Sequence, residues 1–227
     1  MTRTPRSLTW LNSSSYHRRQ PWPFAPQRSR SIVFSSDYVR VISNGKDRIP
    51  YLYEEAFQWY KSFDPLGELL PNPNPTPALD LLAKIFDHLT NDCRWPPQKI
   101  HIFGFAQGGT VAIEFSLLRW RQQLYETHNS SVSPLGSVVS VCGPLISYPI
   151  LESPCPVPLL LFSRPPPTES ALSPSDKAAF RKGFGSFREV QMGGEGMPRS
   201  KKEWEHIMRF WSERLNRRQI SGLYQVM

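Results

Sequence analysis

Cysteine is scarce. Cys93, Cys142 and Cys155 are the three in 227 residues, odd in number and unpatterned, which excludes a disulfide framework and offers none of the paired spacings that hold zinc. No apolar run approaches the ~20 residues that a membrane-spanning helix needs, and the N-terminal segment lacks the apolar core of a secretory signal. Internal repeats are absent. So is a phosphate-cradling glycine loop in a dinucleotide context, so neither a cofactor nor a metal is expected. Acid is missing altogether from the first 36 residues, where the first carboxylate is Asp37.

What the chain does carry is proline, 23 residues in all, roughly twice the usual ~5% share and a mark of many connecting loops. Basic charge is also in excess: 27 Lys and Arg against 19 Asp and Glu give +8. Six of those charges are Arg3, Arg6, Arg18, Arg19, Arg28 and Arg30, all in the acid-free stretch. Residues 37–227 are close to neutral, without a basic stripe, so nucleic acid is not an expected partner. Residues 1–36 read as an Arg- and Ser-rich disordered arm, or as a non-native start of the reading frame. A mitochondrial transit peptide is a third reading, weakened because Pro21, Pro23 and Pro26 interrupt any long amphipathic helix. A cytoplasmic location is expected, with the mitochondrion as the alternative.

Length and a 39% apolar fraction suit one packed domain, placed at 37–218 with a C-terminal tail at 219–227. Short strand candidates lie at 31–34, 38–42, 99–103, 136–142, 157–162 and 187–192. Helix candidates begin at Thr76 or Pro77, after the proline-studded loop 71–77, and recur at 110–123, 176–180 and 201–218. Trp95-Pro96-Pro97 is read as the stop of the first helix. Strands alternating with helices predict an α/β fold, a mostly parallel sheet with helices on both faces.

The segment from Lys99 to Thr110 carries the most information, because a strand there runs through Gly104-Phe105-Ala106-Gln107-Gly108-Gly109 straight into a helix. Such a strand–turn–helix elbow holds its tip residue in a strained conformation, and the flanking glycines let strand and helix approach closely. The amide after the tip, that of Gln107, would contribute to an oxyanion hole, assisted by the positive end of the helix. This run resembles the Gly-Phe-Ser-Gln-Gly-Gly elbow of the phospholipase/carboxylesterase/acyl-protein thioesterase family of α/β-hydrolases, with five of six residues matching. Looser similarity extends from about Tyr38 to Leu215. Trp59-Tyr60 is similar to an aromatic pair upstream of the family's elbow, which implies a ligand-binding role for Trp59 and Tyr60. Ser140-Val141-Cys142-Gly143 resembles the Leu-Ser-Gly that closes the next strand.

The departures fall on the catalytic positions. Ala106 stands in place of the serine nucleophile and has no hydroxyl. The family's Glu-Gly-Met-x-His-Ser stretch is Glu195-Gly196-Met197-Pro198-Arg199-Ser200, so Arg199, which cannot accept a proton at neutral pH, replaces the base. The run that resembles the family's His-Gly-Asp-x-Asp is Ser163-Arg164-Pro165-Pro166-Pro167, with Pro167 at the acid's place and Glu169 the nearest carboxylate. A His-Gly-x-Gly motif closing a first strand, source of a second oxyanion amide, is not found before Asp37, so the N-terminal strands are expected to be missing or replaced.

Substitute groups are not obvious. His101 reads as a packed strand residue, His88 and His206 as solvated helix residues, His17 as arm and His128 as loop; Cys142 reads as a small buried apolar side chain, and Ser116 has no base in reach. The sequence therefore predicts a catalytically inactive hydrolase relative that binds an acyl or lipid ligand or a protein partner. The alternative is a low-activity carboxylesterase or acyl-protein thioesterase with a non-standard nucleophile.

Overall fold

A computed structural model describes residues 30–35, 40–44, 47–48, 57–126, 134–147, 150–168 and 171–215. Their strands are β1 (Arg30–Ser35), β2 (Arg40–Asn44), β3 (Asp47–Arg48), β4 (Phe57–Gln58), β5 (Ile100–Phe105), β6 (Ser137–Val141), β7 (Leu159–Ser163) and β8 (Phe187–Gln191). The helices are α1 (Thr76–Asp87), α2 (Gln107–Glu126), α3 (Pro174–Gly183) and α4 (Lys201–Leu215). Six strands form one sheet in the order β2-β1-β5-β6-β7-β8, and β3 and β4 form a separate antiparallel pair. The β5–β8 half is parallel throughout, with Gly104 opposite Ser140 and Val141 opposite Phe162. Every residue of β5, β6 and β7 is buried, as expected of central strands covered on both faces.

Side chains alternate across those strands and feed two cores. Ile100, Ile102, Val138, Leu159 and Leu161 pack with Leu82 and Phe86 of α1, Phe115 of α2 and Phe180 of α3. On the opposite face Phe103, Val139, Val141, Leu160 and Phe162 pack with Ile207 and Phe210 of α4. Phe103 lies between Trp204 and Trp211, ring centroids 5.8 and 5.9 Å away. The expected α/β architecture, helices on both faces of a mostly parallel sheet, is the one observed.

Three local expectations change. The strand placed at 99–103 runs through Gly104 to Phe105, and the helix placed at 110–123 starts at Gln107, because a single residue makes the reversal between them. The first helix does not wait for the prolines: a π-helical turn, His88–Asp92, continues it, and Arg94 at φ 58° ends it, with Trp95 N–H donating back to Leu89 O at 2.9 Å. A residue in the left-handed conformation is a common way for a helix to end. α3 is longer than 176–180, because Ser173 and Asp176 cap each other reciprocally and Pro174 opens the helix.

The N-terminal boundary also moves. β1 begins at Arg30, inside the range read as a disordered arm, and β1 and β2 extend the sheet beyond β5 as antiparallel strands. On that side of β5 the described sheet ends in this antiparallel pair. Residues 1–29, the rest of the arm, lie outside the described residues, as do His17, His128, Glu169 and the tail 219–227.

Candidate functional site

The elbow forms at the C-terminal end of β5. Ala106, the tip residue for which a strained conformation is expected, adopts φ 49° in the left-handed region, and its N–H donates to Val141 O at 2.8 Å. Its own carbonyl accepts from Thr110 N–H at 3.1 Å, so a single residue joins the strand to α2. The glycines follow from the crowding this creates. A methyl group on Gly104 would fall onto the carbonyl of Gly108, and one on Gly109 would lie 2.5 Å from Ser140 Oγ. Gly143, beyond the neighbouring strand, is as tightly placed, with Thr110 N 2.5 Å from a built Cβ. Phe105 turns away from the tip into the α4-side core, where Ala106 also packs.

Gln107 does more than lend an amide. Its side-chain Oε1 accepts from Trp59 N–H at 2.9 Å, and its Nε2 donates to Tyr60 O at 3.1 Å and Ser62 Oγ at 2.7 Å. The aromatic pair is therefore tied to the elbow through its backbone. Its side chains are not surface groups: Trp59 and Tyr60 belong to the main core. Burial pushes the Tyr60 hydroxyl up, partly offset by its hydrogen bond to Thr110. Trp59 Nε1 is buried without a hydrogen-bond partner among the described residues. In the structure these two rings are core side chains whose backbone is anchored to the elbow. Three exposed apolar side chains, Phe63, Leu66 and Leu69, follow directly on the segment that Gln107 holds.

The positions that resemble those of the acid and the base have a different chemistry. Arg164, immediately after β7, is 1% exposed, and its guanidinium lies 4.9 Å from the Phe162 ring. Nη1 donates to Gly193 O at 2.6 Å and to Glu203 Oε1 at 2.5 Å, while Nε and Nη2 reach Gly196 O at 3.2 and 3.0 Å. Glu203 accepts from the backbone N–H groups of Ser200 and Arg199 at 2.9 Å each. Ser200 Oγ accepts from Glu203 N–H at 3.2 Å, which makes a reciprocal cap at the start of α4. These bonds from Ser200 and Arg199, and then the Arg164 guanidinium, hold the Glu203 carboxyl down at about 2. One ion pair thus fastens the end of β7, the loop 192–200 and the start of α4. Pro167 and Arg199 are both exposed, and Arg199 enters this network through its N–H.

His101, Ser116 and Cys142, weighed as substitute groups, are packed away. His101 is 4% exposed, its Nδ1 sits 2.8 Å from Ser137 Oγ, and burial, with the positive Arg214 adding to it, pushes its pKa down to about 4. Ser116 Oγ donates to Ala112 O at 2.9 Å inside α2. Cys142 is buried at φ 55° at the end of β6. Sequence reading missed the buried Arg164–Glu203 pair, although Ser200-Lys201-Lys202-Glu203 is a legible capping-box pattern.

No family model matches the chain. An uncharacterized hydrolase of Mycosarcoma maydis is 34% identical over 169 residues, 73% of this chain and 61% of that protein, so the chain spans about three fifths of the length of this relative. SOBER1 of Arabidopsis thaliana superposes with a TM-score of 0.53 at 17% identity, covering 71% of this chain and 76% of the other. Zea mays acyl-protein thioesterase 2 superposes with a TM-score of 0.50 at 18% identity, covering 71% and 74%. At such identities the likeness speaks to architecture rather than activity. With the strained elbow between β5 and α2 and the parallel β5–β8 half-sheet, it establishes that this chain has the α/β-hydrolase fold.

Proposed function

We infer that this protein is a non-catalytic relative of the esterase and thioesterase type of α/β-hydrolase, one that keeps the elbow as a binding platform for an acyl or lipid ligand, or for a protein partner. The observation that carries this reading is the methyl group of Ala106 at the tip, where an acyl-transfer enzyme of this fold needs a hydroxyl. Two further features support it. Arg164 lies in the segment that resembles that of the acid and pairs with Glu203, three residues beyond the one that resembles that of the base, and neither partner is suited to act as a neutral-pH base: an arginine holds its proton, and Glu203 is held low. The exposed Phe63, Leu66 and Leu69, continuous with the Gln107 anchor, favour an acyl chain over a polar ligand.

The test is turnover of a long-chain acyl thioester by the wild-type chain and by Ala106→Ser, alongside displacement of a fluorescent fatty acid. The reading expects no turnover in either protein and saturable displacement in both. Turnover appearing in Ala106→Ser alone would mean that a working base survives and that Arg199 has been wrongly matched to its position. Turnover by the wild type, abolished by replacing one Ser or Cys, would favour an esterase with a non-standard nucleophile.

A further inference from the structure

Away from the elbow, where α1 runs into its π-helical turn, three side chains line up. His88 Nδ1 lies 2.6 Å from Asp92 Oδ2, and His88 Nε2 lies 3.8 Å from Cys93 Sγ. The His88 and Asp92 side chains are 64% and 69% exposed, and Cys93 is an exposed free thiol. A carboxylate on Nδ1 fixes the tautomer with the proton on that nitrogen, which leaves Nε2 as the acceptor facing the sulfur. Asp92, at i+4, would face His88 on an ordinary α-helix too; the π-turn brings in Cys93, which at i+5 would lie on another face of an unbroken α-helix.

We propose that Cys93 is a nucleophilic modification site for low-molecular-weight disulfides of the glutathione class, with His88 as its proton acceptor and Asp92 as the residue that positions His88. In the step, the proton of Cys93 Sγ passes to His88 Nε2 and the thiolate attacks one sulfur of the disulfide. The Cys93–S–S–R bond forms as the R–S–S–R bond breaks, and the departing thiolate takes the proton from His88. Cys93 is oxidised and one half of the disulfide is reduced to a thiol, so no other oxidant is needed. The site is distinct from the elbow and independent of whether the elbow has any activity. The other two thiols cannot compete: Cys142 and Cys155 are buried, and burial pushes the Cys155 thiol up to about 12.

The experiment exposes the full chain at neutral pH to glutathione disulfide and follows adducts by intact mass and peptide mapping. One adduct is expected, on Cys93, at a rate about threefold or more above that of His88→Gln, with Asp92→Asn between them. The three proteins should converge above about pH 9, where a thiol ionises unaided, and again in denaturant, where the geometry is gone. Equal rates for wild type and His88→Gln in the folded state, or first labelling of Cys142 or Cys155, would overturn the proposal. Because His88 also ends α1, the pH profile separates lost activation, which vanishes above about pH 9, from an altered helix end, which persists at every pH.

Discussion

Ala106 occupies a conformation that costs a residue with a Cβ about 1–2 kcal/mol, and it persists because the strand, the helix and three close glycines leave no other path. Serine and alanine meet that cost alike, so the turn survives the loss of the hydroxyl. Ala106→Gly should therefore raise stability, by up to about 1 kcal/mol once the greater freedom of the unfolded chain is deducted, as read by the denaturation midpoint. Gly104→Ala should do the reverse. Its methyl has nowhere to go but the Gly108 carbonyl, and a loss of at least about 2 kcal/mol is expected. His101 makes a pH prediction. Its folded pKa, about 4, lies below the ordinary value of 6.5, so the unfolded chain binds the proton more readily. Its contribution is fully present above pH 6.5 and is lost as pH falls toward 4. The loss should reach about 3 kcal/mol in urea titrations and be reduced in His101→Gln, which cannot titrate.

Between elements, the Arg164–Glu203 pair is the main polar joint on the α4 side of the sheet. Removing one member of a buried pair strands the other, which costs about 3–5 kcal/mol, whereas replacing both with apolar groups is far milder. The buried member is Arg164, so Arg164→Met should be destabilising as a single change and Glu203→Leu more so, because it strands the guanidinium and removes the cap of α4. Hydrogen exchange should show the Arg164→Met variant loosening residues 192–200 first, since Arg164 donates to the carbonyls of Met192, Gly193 and Gly196. Neither partner of this joint looks unusual in the sequence. Arg164 follows an apolar strand, and Glu203 opens an amphipathic helix 39 residues on. The capping pattern at Ser200 is local and readable, but pairing across that separation depends on the tertiary fold. For the same reason Trp59 and Tyr60 could be placed beside the elbow by resemblance while their burial could not: it follows from the two side-chain ends of Gln107, 47 and 48 residues away.

For the molecule as a whole, the half-sheet β5–β8 and its helices were legible because their signals are local: continuous apolar runs for buried strands, 3.6-residue spacing for α1 and α4, and a strand–glycine–helix junction. The antiparallel β1 and β2 were legible only as short β-rich runs. The place of β1 next to β5, with β2 outside it, depends on pairing across more than sixty residues of chain and has no compositional mark. The site follows the same division. The elbow and the alanine at its tip could be read, whereas the joint built from Arg164 and Glu203 could not. The central claim, that an α/β-hydrolase elbow is kept here without its nucleophile, is tested most directly by labelling the folded protein with a fluorophosphonate probe, which marks an activated serine covalently. The account predicts no labelling above the level of the heat-denatured chain. Stoichiometric labelling, lost on replacing a single Ser or Cys, would contradict it.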